Sequence, residues 1–168
     1  MFKHLLEGML RPPLTEAAPA PDPAALTELA TRVNGAARRR LGRSLSIRQV
    51  DAGSCNGCEL EIRALGNAFY DLERFGLHLV ASPRHADVLL VTGPVTRNMQ
   101  EALQRTYNAT PDPKWVVALG DCAATGGLFA GSYACLGGVE QVVPVDLHIP
   151  GCPPSPARIL SGLLALLA

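Results

Sequence analysis

The sequence predicts an α/β protein built on an open, mostly parallel sheet with helices on both faces. Three observations carry that prediction. Short apolar runs of strand length alternate with segments of helical periodicity. One run, Asp87 to Thr92 (DVLLVT), is nearly unbroken in its apolar character, as a strand covered on both faces must be. Glycine-bearing loops separate the elements, and three of those loops follow predicted strands. At 168 residues the chain has room for one domain with a real core and not for two comfortable ones.

Taken in order, Phe2, Leu5, Leu6, Met9 and Leu10 recur at helical spacing before Pro12-Pro13 stops them. Such a helix packs on the body of the chain or docks on a membrane surface or partner, and the residues favour neither. Pro12 to Pro23 reads as an extended linker. A second helix is predicted from Ala24 to about Leu41, with Leu26, Leu29, Ala30, Val33 and Ala37 on one face. Arg38, Arg39, Arg40 and Arg43 gather at its end, where positive charge complements the helix dipole, and we read them as a solvated cap. Residues 1–43 are assigned as an N-terminal helical extension and linker, and residues 44–168 as the α/β domain.

Within that domain, Leu45 to Val50 alternates like a strand, and Asp51 to Gly57 is a loop. Leu60, Ala64, Leu65, Ala68, Phe69 and Leu72 predict a helix that stops near Gly76. Leu77 to Ala81 and Asp87 to Thr92 are the next strands. Gly93-Pro94 turns the chain into a helix from about Thr96 to Tyr107, followed by a strand from Lys114 to Leu119. Gly120 to Gly127 (GDCAATGG) is a loop, Gln141 to Ile149 contains the last strand, and Pro150 to Pro154 (PGCPP) leads to a terminal helix from Ser155.

Fifteen basic and fifteen acidic side chains cancel, so nucleic-acid binding has no electrostatic support. Nearly all the basic residues are arginine, which suits fixed ion pairs at protein interfaces. Lys3, His4, Glu7 and Arg11 interrupt any secretory signal, and the apolar run from Ile159 to Ala168 is too short to span a bilayer. Five widely spaced cysteines do not resemble a disulfide framework. They point to a reducing compartment and to thiolates kept for metal.

The chemistry gathers at Cys55-Asn56-Gly57-Cys58-Glu59, with Cys122 and Cys152 on two further loops. Ligands of open parallel sheets collect at the carboxyl ends of the strands, so all four cysteines are expected on one edge. Four soft, anionic thiolates around one point suit an iron-sulfur cluster, with loop amides free to donate to its sulfurs. Three other uses stay open on spacing alone. A four-cysteine zinc site, as in a zinc-stabilised binding module with no redox role, usually shows two close pairs. A thioredoxin-like dithiol uses Cys-x-x-Cys but has no role for Cys122 and Cys152. Buried inert cysteine is the third. Cys135 is read as a small buried apolar residue and His148 as a satisfied core histidine. Gly93-Pro94-Val95-Thr96 is a weak anion-binding signal.

The motifs CNGCE (Cys55 to Glu59), SPRHADVLLVTGPVT (Ser82 to Thr96), GDCAATGG (Gly120 to Gly127) and VPVDLHIPGCPP (Val143 to Pro154) resemble the cluster-bearing small subunit of group 4 membrane-bound nickel-iron hydrogenases of the formate hydrogenlyase type. That subunit is homologous to the terminal-cluster subunit of complex I (NADH:quinone oxidoreductase). The resemblance covers about Leu45 to Ala168. It implies a flavodoxin-like domain with one four-iron four-sulfur (4Fe-4S) cluster on Cys55, Cys58, Cys122 and Cys152, relaying electrons. It also implies a large catalytic subunit, either a hydrogenase large subunit or its complex I homologue. A ferredoxin-like iron-sulfur subunit is a further implied partner, and antiporter-like membrane subunits are indirect ones. The expected location is peripheral, on the cytoplasmic face of the inner membrane. The complex I branch has adjacent cysteines where this chain has a two-residue gap, which favours a hydrogenase partner over a quinone-reductase one. Glu59 and Glu61 lie beside the cluster loop, where carboxylates could couple proton movement to redox state, although acids in a first helical turn are commonplace. Arg84 and His85 match the family's motif and read either as a charged contact near the cluster or as a surface ion pair.

Overall fold

The computed structural model describes residues 23–167. The amphipathic stretch expected from Phe2 to Leu10 and nearly all of the Pro-rich linker lie outside the described residues. The chain opens with helix α1 (Pro23–Leu41) and strand β1 (Leu45–Asp51), then α2 (Gly57–Leu65), β2 (Leu77–Leu79) and β3 (Val88–Thr92). A short strand β4 (Val95–Thr96) precedes α3 (Arg97–Ala109), β5 (Trp115–Leu119) and the single-turn α4 (Asp121–Thr125). The chain closes with β6 (Cys135–Gly137), β7 (Leu147–Ile149) and α5 (Pro156–Leu167).

Five strands form one all-parallel sheet in the order β2-β1-β3-β5-β7. The order reverses between β1 and β3, which is the flavodoxin-type switch point. Successive β3 residues explain why it reads as a continuous apolar run. Val88 and Leu90 belong to one core with α1, α2 and α5, while Leu89 and Val91 belong to a second with α3 and α4. The first core takes Ala30, Val33, Ala36 and Ala37 from α1, small side chains that let this helix pack against α5 and join the sheet's own interior.

Arg38 and Arg39 stay exposed in the last turn of α1, as a solvated cap would, but Arg40 and Arg43 make fixed contacts. Arg43 forks onto the buried carboxylate of Asp87, with Nη1 donating to Oδ2 at 3.0 Å, and the Ser46 amide donates to the same oxygen at 2.9 Å. Arg40 donates to the Leu166 carbonyl at 3.1 Å and stands 5.0 Å from the Trp115 ring centroid. These contacts fix the start of β1, the start of β3 and the end of α5 to one another.

Two expectations need correction. The helix predicted to continue past Leu65 stops there, because Gly66 caps it and the Asn67 side chain accepts the Phe69 and Tyr70 amides in place of a helical turn. A separate turn, Leu72–Phe75, then reaches Gly76. His148 is not a core histidine: it is exposed on the short edge strand β7, with Nε2 2.7 Å from Glu140 Oε1. Alternation along an edge strand sends every second side chain outward, which an apolar neighbourhood in sequence conceals.

Candidate metal centre

Three loops leave the carboxyl ends of β1, β5 and β7, and each delivers cysteine to one place. Cys55, Cys58, Cys122 and Cys152 all line a single cavity of about 130 Å³ together with Ser54, Gly57, Gly93, Asp121, Gly151 and Pro153. Parallel strands produce this convergence by themselves, since all of their carboxyl ends share one edge of the sheet.

Local hydrogen bonds shape the first loop. Asp51 Oδ1 accepts the Gly53 and Ser54 amides, both at 2.8 Å. Ser54 Oγ accepts the Asn56 amide at 3.1 Å and donates to Glu59 Oε2 at 2.6 Å. Asn56 takes a positive φ of 71°, one of the few non-glycine residues able to do so, and swings the chain into α2 just before Cys58. The second and third loops are laced to each other: the Asp121 amide donates to the Gly151 carbonyl at 3.0 Å, and Asp121 Oδ1 accepts the Gly151 amide at 2.8 Å. Gly93 crosses directly over the first loop, where a Cβ would fall 2.4 Å from the Ser54 nitrogen. That close approach, together with a positive φ, accounts for the glycine at the Gly-Pro turn.

Two glycines give the sulfurs their room. A Cβ on Gly120 would stand 2.8 Å from Cys58 Sγ, and one on Gly127 would stand 2.7 Å from Cys122 Sγ. Burial, then the neighbouring Glu59 and the other three thiols, push the Cys58 thiol up to about 12, and its Sγ donates to the Leu119 carbonyl at 3.8 Å. Burial likewise raises the Cys122 thiol, partly offset by the Leu128 backbone N–H, which donates to its sulfur. Cys58 and Cys122 are thus held against ionisation with two further cysteines beside them, a penalty that a bound polycation would relieve.

Among the described residues no group of three His, Cys, Asp or Glu side chains is arranged to grip a single metal ion. A lone zinc would hold its thiolates within about 4 Å of one another, given Zn–S bonds of roughly 2.3 Å. Four soft thiolates around one cavity are a donor set that suits an iron-sulfur group.

The other residues singled out in the sequence fall elsewhere or play smaller parts. Glu59 is buried at the foot of the cavity loop, with Oε1 unpartnered among the described residues, and Glu61 is half-buried one helical turn from Cys58. Arg84 and His85 are exposed in the turn Pro83–His85, at the amino end of β3, so the structure does not bring them to the cysteines. Cys135 is half-buried in β6, opposite Thr96 in the antiparallel β4–β6 ladder, and does not line the cavity. Asp121 and Gly120 were visible only as part of a glycine-rich motif; an acid immediately before a loop cysteine was the available signal for the strut to Gly151.

The family model described as NADH ubiquinone oxidoreductase, 20 Kd subunit matches residues 55–166, a span that contains all four cavity cysteines. Formate hydrogenlyase subunit 7 of Escherichia coli (strain K12) is 44% identical over 142 residues, covering 84% of this chain and 56% of that protein. The chain thus spans little more than half the length of that relative. A probable membrane-bound hydrogenase subunit of Pyrococcus furiosus is 49% identical over 127 residues, 76% of each chain. Among solved structures, a chain of the membrane-bound sulfane sulfur reductase, an archaeal respiratory membrane complex, superposes with a TM-score of 0.66 at 37% identity, covering 82% of this chain and 73% of that one.

Proposed function

The chain belongs to the NADH ubiquinone oxidoreductase 20 Kd subunit family, and from that premise we propose that it is a non-catalytic electron-relay subunit of a membrane-associated multisubunit oxidoreductase. In this reading Cys55, Cys58, Cys122 and Cys152 hold one 4Fe-4S cluster. The observation that carries it is the meeting of four cysteines from three separate loops around one cavity. When bound, such a cluster accepts and passes on single electrons.

The chain's own residues position, shield and tune. Ser54, Asn56 and Asp51 fix the Cys-x-x-Cys turn, Asp121 ties the Cys122 loop to the Cys152 loop, and the Leu128 amide donates to the Cys122 sulfur. Amides directed at ligand sulfurs favour the more negative state and so raise a reduction potential. Apolar helices on both faces exclude water from behind the site, while Cys55 and Cys152 stay at its exposed rim.

The partner is a large subunit of the hydrogenase type, as the names of the E. coli and P. furiosus relatives suggest. A second reading, a complex I-like relay without hydrogenase activity, draws support from the sulfane sulfur reductase neighbour. The two part on the large subunit, which in a nickel-iron hydrogenase retains two Cys-x-x-Cys pairs. No helix among the described residues is long and apolar enough to cross a membrane. We place the chain peripherally, at the cytoplasmic face of such a complex, with a ferredoxin-like subunit as the other electron partner.

Anaerobic purification followed by iron, sulfide and zinc analysis tests the reading. About four iron and four sulfide per chain, with no stoichiometric zinc, is the expected result. Cys122→Ser should abolish the cluster's spin-resonance signal. One zinc per chain and no sulfide would overturn the relay in favour of a zinc-stabilised module.

A further inference from the structure

A second cavity, of about 220 Å³, shares no residue with the cysteine site. It lies where α2 gives out. Leu65 and Gly66 at the end of that helix form one wall, Leu72 in the turn Leu72–Phe75 forms another, and Ile47 of β1 lines it with Leu77 and Leu79 of the edge strand β2. Leu79 is 47% exposed, while Leu77 and Ile47 beside it are buried. Packed interiors leave few voids larger than a water molecule, and an apolar cavity of about 150 Å³ already admits a benzene ring. This one therefore has room for a phenyl ring and part of an aliphatic side chain.

The sequence carries an apolar stripe that suits this space. At about 100° per residue, Phe2, Leu5, Leu6, Met9 and Leu10 fall within an arc of about 140°, and Lys3, His4, Glu7 and Arg11 fall on the opposite side. The charges match as well. Asp71 and Glu73 are the only charged residues lining the cavity, with His78 the one other ionisable side chain. Lys3 and Arg11 of the stretch stand against the single acid Glu7. Arg63 and Arg74 adjoin the walls in sequence, but neither lines the cavity, and Arg74 lies over the Phe75 ring, 5.3 Å from its centroid. Length is no obstacle: residues 11–22, extended at roughly 3.3 Å each, reach about 40 Å, against a radius of gyration of about 15 Å for a domain of this size.

We propose that the stretch from Phe2 to Leu10 folds back onto its own chain and fills this cavity, its apolar side against Leu65, Leu72 and Leu79 and its cations toward Asp71 and Glu73. A lipid surface is the poorer occupant, because those two carboxylates would repel anionic headgroups. The clasp acts on the cysteine site at one remove. Ile62 lines the cavity one helical turn after Cys58, and Cys58 packs on the same core, so filling the space steadies the helix that carries this cysteine.

Benzoylphenylalanine placed at Phe2, in the full chain within its membrane complex, tests this by photo-crosslinking. The expected product is a crosslink within one chain, mapped by mass spectrometry to residues 62–79. Crosslinks only to lipid, to another subunit or to a second copy of this chain, or no crosslink at all, would each overturn the assignment. Hydrogen exchange on the same complex carrying Leu5→Asp together with Leu6→Asp is the second measurement. The Arg74 and Gly76 amides, which donate to the Asp71 and Glu73 carbonyls at 3.2 and 3.0 Å in the cavity wall, should exchange about tenfold faster than in the unmodified complex. The Thr110 amide, bonded to the Tyr107 carbonyl at the end of α3 on the other face, should keep its rate. Unchanged exchange at Arg74 and Gly76, or an equal acceleration at Thr110, would also refute the clasp. Neither readout depends on a cluster being bound.

Discussion

Gly120→Ala tests most directly whether the cysteine cavity depends on backbone that only glycine can supply. Gly120 has φ 89° and ψ 161°, a region essentially reserved for glycine, and another residue there costs about 1–3 kcal/mol. The new methyl would also stand 2.8 Å from Cys58 Sγ and 3.3 Å from the Gly151 carbonyl, where ordinary contact begins at 3.4 Å. Moving the backbone carbonyl is harder than moving the sulfur, so Cys58 gives way. Strain and overpacking together come to about 2–4 kcal/mol. At about 2–4 °C per kcal/mol for a chain of this size, the Tm of the cluster-free protein should fall by about 4–16 °C. Gly131→Ala is the control, because Gly131 also has a positive φ of 81° but nothing lies within 4 Å of its Cβ position. It should lose only about 1 kcal/mol and keep its iron. Calorimetry on the cluster-free chain and iron per chain after anaerobic reconstitution are the two measurements. If Gly120→Ala matches Gly131→Ala in both, the cavity does not require this close approach and the packing argument fails.

Three further outcomes are expected. In cluster-free protein at pH 7, alkylation followed by mass spectrometry should label Cys58 last and the exposed Cys55 early. Raising a thiol from 9.0 to about 12 cuts its thiolate fraction about a thousandfold, and labelling should accelerate about tenfold per pH unit until pH approaches 12; equal rates for the two would refute the burial argument. Leu103→Ala, which empties a fully buried position on α3, should cost about 2–4 kcal/mol by denaturant titration. Asp87→Ala removes the acceptor of Arg43 and of the Ser46 amide, and with Arg43 half-exposed the loss should be about 2 kcal/mol; a change within 0.5 kcal/mol would mean that the pair does not fasten β1 to β3.

The middle of the sheet could be read in advance because β3 and β5 are buried on both faces and so declare themselves as apolar runs. DVLLVT is the clearest case. The convergence of the cysteine loops followed from the shared direction of parallel strands and needed no contact information. What escaped depends on particular side-chain and backbone contacts, some local and some between distant residues. The Asn67 side chain intercepting the Phe69 and Tyr70 amides ended α2 early, although Ala68 and Phe69 continued its period. The β4–β6 ladder joins residues about forty apart through very short strands and leaves no periodicity to detect. Arg84 and His85 adjoin a strand of the site in sequence, but at its opposite end. A motif read linearly cannot distinguish the two ends of a strand.

The separation of the two ends of the sheet has a use in handling the molecule. Pro111, Asp112 and Pro113 form an exposed corner just before β5, at the far end of that strand from Cys122. A tether or dye attached at this corner would leave the sulfur-bearing rim pointing away from its support. Molecules immobilised there on an electrode would present that rim to added partners, and interfacial electron exchange could be compared with the two orientations reversed.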